Sequence, residues 1–375
     1  MGTTLRGVAL LLGLGLGLMA CGGDEAAPTA TDEALPAITF QVTGDPEETR
    51  VYRELAAQYK TDTGNTVNVV EVPERDVHLA KLTTSFSAGK QPEVFLLNYR
   101  YLGGFADRGV IDAAGPRLDA SKAFKREDFY PIPMAAFEYQ GALQCVPQNA
   151  SSLAVYYNVD AFKAAGIEPP GDSWTYDEFA AAAEKLTGDG KHGVGLDLST
   201  IRAAPWVWAA GGELVDDPLD CSAITCSSPR RDVPVLRQIT DFEWDVAPFP
   251  TDVEPASVLH SDGFCLSKHD NADAAWKWVE YALSADGQQV LAASGRSVPS
   301  LKAVAESPLF LEPTDPPANS KVFIDALSQM HQLPVTKNWS EVEGLTDDVL
   351  EELYYGRISL DEGLKRLAEE TDGKF

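Results

Sequence analysis

ITFQVTGDPEETRVYRELAAQYKTDTGNTVNVVEVPERDVHLAKLTTSFSAGKQPEVFLLN runs from Ile38 to Asn98, and its periodicity decides the fold. Ile38–Thr43 alternates apolar and polar residues as a half-buried strand does. Pro46–Lys60 places Val51, Leu55 and Tyr59 on one helical face before Gly64 stops it. Thr66–Val72 is β-branched and reads as a strand, His78–Ala88 as a helix, and Glu93–Leu97 as a buried strand. Strand, helix, strand, helix, strand implies parallel pairing through right-handed crossovers, a doubly wound α/β lobe. Such sheets bind ligands at loops beyond the carboxyl ends of their strands. Here those loops are Gly44–Glu48 and Asn98–Tyr101.

On the amino-terminal side, an apolar run beginning near Gly7 ends in Leu18-Met19-Ala20-Cys21. Its apolar core is too short to span a bilayer, and with Arg6 before it and small residues at the cut it reads as an export signal. The Leu-Met-Ala-Cys run resembles a bacterial lipobox, which implies that Cys21 becomes the lipidated first residue. A plain secretory signal is the competing reading. Gly22–Pro36 is small, polar and proline-bearing, a disordered tether, so the fold begins near Ala37 and works outside the cytoplasm. The chain from Ala37 onward exceeds one ordinary core, and two lobes are expected.

The formal net charge of −27, one unit more negative once Arg6 is removed, argues against nucleic acid and against docking on anionic lipid through a basic face. Beyond Cys21 an even set of cysteines remains, Cys145, Cys221, Cys226 and Cys265, which allows three pairings in an oxidising compartment. A short local bridge Cys221–Cys226 is plausible. Zinc would want paired cysteines or nearby histidines, so no metal is expected, nor any other cofactor.

A second region follows Gly141–Pro147. Leu153–Asn158 reads as a strand, Asp160–Ala165 as a short helix, and Thr175–Leu186 as a helix opened by a Thr175/Glu178 capping box. Val233–Arg237, Val246–Phe249 and Gly263–Ser267 look like further strands. Asn271–Ala293 reads as one strong helix with Trp276, Val279 and Leu283 on one face, and Val322–Leu327 and Thr346–Glu370 as helices with acid-rich outer faces.

Motifs for catalysis are missing. No His-Glu-x-x-His zinc helix, Gly-x-Ser-x-Gly elbow or phosphate-binding Gly-Lys-Ser/Thr occurs. Carboxylates are so abundant that pairing any two as acid and base carries little weight. Aromatic residues at expected loop ends stand out instead: Trp206 and Trp208 beside small residues, and Trp339 between helices. Indole faces stack on sugar rings while Asp, Glu, Asn and Arg bond the hydroxyls, which suits a carbohydrate cleft. Trp206 or Trp208 taken alone suits a core equally well.

The export signal, the early ITFQVTGDPEETRVYRELAAQYKTDTG, the later VPQNASSLAVYYNVDAFKAAGIEPPGDSWTYDEFAAAAEKLTGDG and the helix AWKWVEYALSADGQQVLAASGRSVPSLKAV together resemble the family 1 extracellular solute-binding proteins, the sugar-type receptors of bacterial ABC importers. The resemblance covers most of residues 38–308. It implies a periplasmic-binding-protein-like fold of type II: two α/β lobes joined by crossover hinge strands, closing on a solute. Lobe one would be 37–144 plus 265–310, and lobe two 145–264 plus 311–375. The implied ligand set is Asp45, Glu48, Tyr99, Arg100, Trp206, Trp208, Asp262, Arg296 and Trp339. Cys145 and Cys265 would lie on neighbouring crossover strands, giving the bridges Cys145–Cys265 and Cys221–Cys226. The partners implied are a small-molecule solute, carbohydrate first, and the permease, with a lipid anchor at Cys21 and a monomeric receptor.

The chain departs from the family pattern between Asp216-Asp217-Pro218 and Val233, where Leu219–Asp232 replaces a helix, a loop and a strand. Apolar surface around 205–208 is therefore expected to lie open. A non-sugar solute such as a polyamine, peptide or phosphate ester, and an exported hydrolase, remain as alternative readings.

Overall fold

The computed structural model describes residues 35–44, 46–188, 190–195, 199–214, 228–229, 233–311 and 314–374, with the backbone alone at 47, 48, 228 and 229. The main sheet begins with β1 (Ile38–Thr43), β2 (Val67–Val72) and β3 (Val94–Asn98). β1 pairs in parallel with both neighbours, Ile38 opposite Val67 on one side and Phe40 opposite Val94 on the other. The connecting helices Pro46–Thr63 and Arg75–Ser87 bury Val51, Leu55, Tyr59 and Leu82, so the apolar face read from the sequence is the one that packs.

The sheet is then extended from distant sequence. β4 (Ile111–Asp112), the hairpin β5 (Glu138–Tyr139) and β6 (Ala142–Leu143), and β7 (Cys145–Pro147) follow in order. Next come β8 (Leu153–Asn158), β9 (Ser228–Pro229), β10 (Trp244–Ala247), β11 (Ser257–Val258), β12 (Asp262–Ser267) and β13 (Met330–His331). β12 runs antiparallel to β3, β4 and β7, giving the order β2-β1-β3-β12-β4 with β7 also on β12. Cys145 and Cys265 face each other in the β7/β12 register and are disulfide-bonded, their Cα atoms 4.4 Å apart. Cys21, Cys221 and Cys226 lie outside the described residues.

Phe40, Tyr52, Phe264 and Trp278 interlock behind this sheet with ring centroids 5.5–5.6 Å from Phe40. Burying Trp278 completely against Phe40, and edge-on against Tyr59, stabilises the lobe through apolar area and aromatic contact.

The second sheet is smaller. β8 pairs antiparallel with β10 and with β9. The capping box forms as read: Thr175 Oγ1 accepts from Glu178 N at 3.2 Å and Glu178 Oε2 from Thr175 N at 2.7 Å, opening the helix Tyr176–Leu186. A satellite core gathers Trp244, Val246, Val298, Phe310 and Phe323 around it.

Several readings are corrected. Val233–Leu236 is helical, not a strand; Pro234, lacking an N–H and fixed near helical φ, suits a first helical turn. The helix expected over 271–293 is two, Ala272–Ala282 and Ala285–Ala293, because Ser284 caps the second by accepting from Gly287 N. The C-terminal helix begins at Trp339 and ends at Tyr354, and a second runs Leu360–Thr371 after Gly356 turns the chain with φ 64°. The aromatic stretch around Pro205 is not a loop end but the interior of the helix Thr200–Ala209, all of whose residues are buried, so the surface expected to lie open there is covered. The lobe boundary at 145 assigns all of β7 to lobe two and that at 265 divides β12, although both strands belong to the main sheet. Among the described residues no helix is long and apolar enough to cross a membrane.

Candidate functional site

Beyond the carboxyl ends of β1, β2 and β3 lies a polar cleft of about 390 Å³. Thr43 and Gly44 reach it from β1, Glu74 and Arg75 from β2, and Asn98, Arg100 and Tyr101 from β3. His260 and Asp262 enter at the start of β12, Ser199, Ile201 and Arg202 from the Thr200–Ala209 helix, Asp347 from the Trp339–Tyr354 helix, and Arg296 from the loop after Ala293. A larger groove of about 860 Å³ lies between β8 and the helix Tyr176–Leu186, but Val155, Phe162, Trp174, Phe179 and Leu186 make its walls largely apolar. Asn158, Lys191 and His192 also line it, but it lies away from the carboxyl ends of β1–β3, where ligands of doubly wound sheets bind.

The β3 loop is the organising piece. Asn98 Oδ1 accepts from Arg100 N at 3.3 Å and Arg100 Nε at 3.0 Å, while its Nδ2 donates to Asp262 Oδ1 at 3.1 Å. Arg100 Nη1 donates to Glu343 Oε1 in a buried ion pair, and its guanidinium lies 5.4 Å from the Tyr101 ring centre. Burial alone would weaken the charge on Arg100, yet the Glu343 carboxylate beside it wins and raises its pKa. Burial pushes the Glu343 carboxyl up, as does Asp347 one turn on, against the pull of Arg100.

Asp347 caps the opposite wall. Its Oδ1 accepts from Thr200 N at 2.5 Å and Thr200 Oγ1 at 2.6 Å, satisfying a donor at the start of the Thr200–Ala209 helix. Burial raises its pKa against those bonds. His78 sits beneath the cleft with Nε2 donating to Leu96 O at 2.9 Å and Nδ1 3.2 Å from Gln41 Nε2. Burial lowers its pKa to about 4, against the Leu96 bond and the nearby Asp262, so it is neutral at pH 7.

Of the residues singled out from the sequence, Arg100, Asp262 and Arg296 meet in this cleft. Arg296 Nη1 donates to Tyr52 OH at 3.1 Å. Tyr99 is buried beneath it, its hydroxyl donating to Leu259 O and accepting from Leu333 N, a structural role. The tryptophans lie elsewhere. Trp206 packs among Tyr176, Phe179 and Phe249, Trp208 stacks on His331 at 4.7 Å, and Trp339 is 2% exposed. Asp45 and the Glu48 side chain lie outside the described residues. Arg75, His78, Arg202 and Asp347 were missed. Arg75 had a signal, since it follows the carboxyl end of β2 as the two chosen loops follow β1 and β3.

A doubly wound sheet with a polar cleft at its strand ends, backed by a second sheet, defines a binding-protein fold of the periplasmic type II class. The chain belongs to the bacterial extracellular solute-binding proteins, whose family model matches residues 44–232, half of the chain. A binding protein of Brucella abortus is 24% identical over 82% of this chain and 85% of its own. An ABC substrate-binding protein of Listeria monocytogenes, solved with cycloalternan, superposes with TM-score 0.80 at 20% identity over 90% of this chain and 98% of that one. A maltose-bound protein of T. maritima superposes with TM-score 0.77 at 17% identity over 90% of this chain and 100% of that one.

Proposed function

We propose that this protein is an extracytoplasmic, lipid-anchored substrate-binding receptor that captures a carbohydrate in the polar cleft and delivers it to an ABC permease. The observation that carries the reading is the cleft itself: carboxylates, an amide and guanidinium groups converge at the carboxyl ends of β1–β3. Sugar hydroxyls both donate and accept, so such a mixture suits them, whereas a polyamine site would not place three arginines beside Arg100. The proposed ligand set is Arg100, Asp262 and Arg296, with Asp45 and Glu48, which follow Gly44 in the sequence. The sugar-bound relatives support the solute class. Anchoring at Cys21, monomeric action and the lack of any catalytic step belong to the same proposal.

The cleft volume is at the lower end of the roughly 300–1,000 Å³ usual for small-molecule sites, which favours one or two sugar rings. With Trp206, Trp208 and Trp339 in the core, recognition rests on hydrogen bonds and on the Tyr101 ring. A thermal-shift screen of the mature chain against mono-, di- and trisaccharides, spermidine and amino acids tests this, because a ligand at a hundred times its Kd adds about 2.7 kcal/mol. A shift with one or more sugars and no turnover is expected. A response to spermidine or amino acids alone, or hydrolysis of a sugar, overturns the reading.

A further inference from the structure

We propose that Asp347, on the Trp339–Tyr354 helix, contacts the solute directly and selects for a hydroxyl-bearing ligand together with Asp262; this rests on the sugar reading above. Both carboxylates line the cleft, one from the helix and one from the main sheet. Each has one oxygen committed to the protein. Asp347 Oδ1 takes both Thr200 donors, and Asp262 Oδ1 takes the Asn98 amide. Among the described residues no donor reaches either Oδ2. An anchored carboxylate with a second oxygen open to the cleft is a preorganised acceptor, fixed before the solute arrives and losing little freedom when it binds.

The surroundings of Asp347 reinforce this. Burial disfavours its charge more than Thr200, Arg100 and Arg75 favour it, so a hydroxyl donor from the solute would supply stabilisation that the protein withholds. Glu343, one turn earlier, is the internal contrast. It sits outside the cleft lining and is engaged with Arg100, so it holds the β3 loop in place and is a positioning residue.

The test is calorimetry on the mature chain with glucose, galactose, maltose, maltotriose and spermidine, for wild type, Asp347→Asn and Thr200→Val. Asparagine keeps an acceptor for Thr200 and replaces Oδ2 by a donor. A hydrogen bond to a charged group is worth roughly 1.5–3 kcal/mol, so Asp347→Asn should bind the responding sugar about 10- to 150-fold more weakly, with little change in melting temperature. Wild-type affinity should also fall as pH drops from 7 towards 4. Glu74, His78, His260, Asp262 and Glu343 are further ionisable groups around the same cleft, beside Arg75, Arg100, Arg202 and Arg296, so the informative quantity is the part of that fall that Asp347→Asn abolishes.

Thr200→Val, which leaves the carboxylate, should weaken binding less. Affinity of Asp347→Asn within about two-fold of wild type overturns the proposal while leaving the sugar reading intact. Equal losses in affinity and melting temperature in both variants would assign Asp347 a purely structural role. Wild type that binds spermidine or no sugar overturns the sugar reading, and this proposal with it.

Discussion

The main sheet and the β10-β8-β9 sheet are stabilised in different ways. In the main sheet, β1 and β3 are almost wholly buried, helices cover them, and β12 is locked between β3, β4 and β7 with a disulfide at its centre. In the second sheet the last residues of β8 are half-exposed and β9 is two residues long. Its core borrows Phe310 and Phe323 from late in the chain. One sheet is made mostly by local crossovers and then sealed, and the other by collecting distant pieces. Stability should therefore be unequal, and variants can measure how unequal.

The largest effect should come from Cys145→Ser with Cys265→Ser. The bond joins residues 120 apart and encloses all three strands of the second sheet, so the chain-entropy model assigns it about 5 kcal/mol. Denaturant midpoints measure the total, and hydrogen exchange should rise more over 153–247 than over 38–98. Equal rises would erase the proposed difference between the sheets.

Next comes Glu343→Ala, which strands the buried Arg100 charge and should cost about 3–5 kcal/mol. Replacing both partners by leucine should restore much of that loss. A double variant as weak as the single would show that the pair is worth its full apparent strength.

His78 gives a pH test of the main sheet. Its folded pKa of about 4 lies below the ordinary 6.5, so the unfolded chain binds more protons between those values. Its contribution is fully present above pH 6.5 and is lost as pH falls towards 4, about 3 kcal/mol in all. Glu343 and Asp347, whose pKa values are raised, act in the opposite sense as pH falls. The difference between wild type and His78→Gln isolates the histidine, and parallel pH profiles would refute its buried neutral state.

The smallest effect should be Thr175→Ala, which removes the hydroxyl half of a capping box on an exposed helix start and should cost about 1 kcal/mol. If the second sheet region is the weaker one, that cost will appear in its local exchange before it appears in the global midpoint.

The main sheet was legible from residues 38–98 because short crossovers tie each strand to its neighbour in sequence, and burial follows the 2.0 and 3.6 periods directly. The capping box was legible for a similar reason, being complete within four residues. The membership of β7 and β12 in that sheet was not written in their own composition; runs as short as Cys145–Pro147 and Phe264–Leu266 fit either sheet equally well. The tryptophans misled because an indole that can stack on a sugar can also fill a core, and neighbouring residues do not say which. Asp347 was hidden by abundance: in an acid-rich helix nothing local separates the carboxylate that bonds Thr200 from those in solvent.

The position of β12 also sets an order of assembly. As the chain emerges amino-terminus first, β1, β2 and β3 can associate early, but the strand that covers the open flank of β3 arrives with residues 262–267, and Asp262 is 164 residues from its partner Asn98. Until then Val94–Leu97, apolar and with unpaired backbone groups on one side, is a bare edge of the kind that recruits strands from other molecules. Truncation before residue 262 should therefore yield an aggregation-prone fragment, not a smaller working domain, and shielding of that edge becomes a requirement of biogenesis set by topology alone.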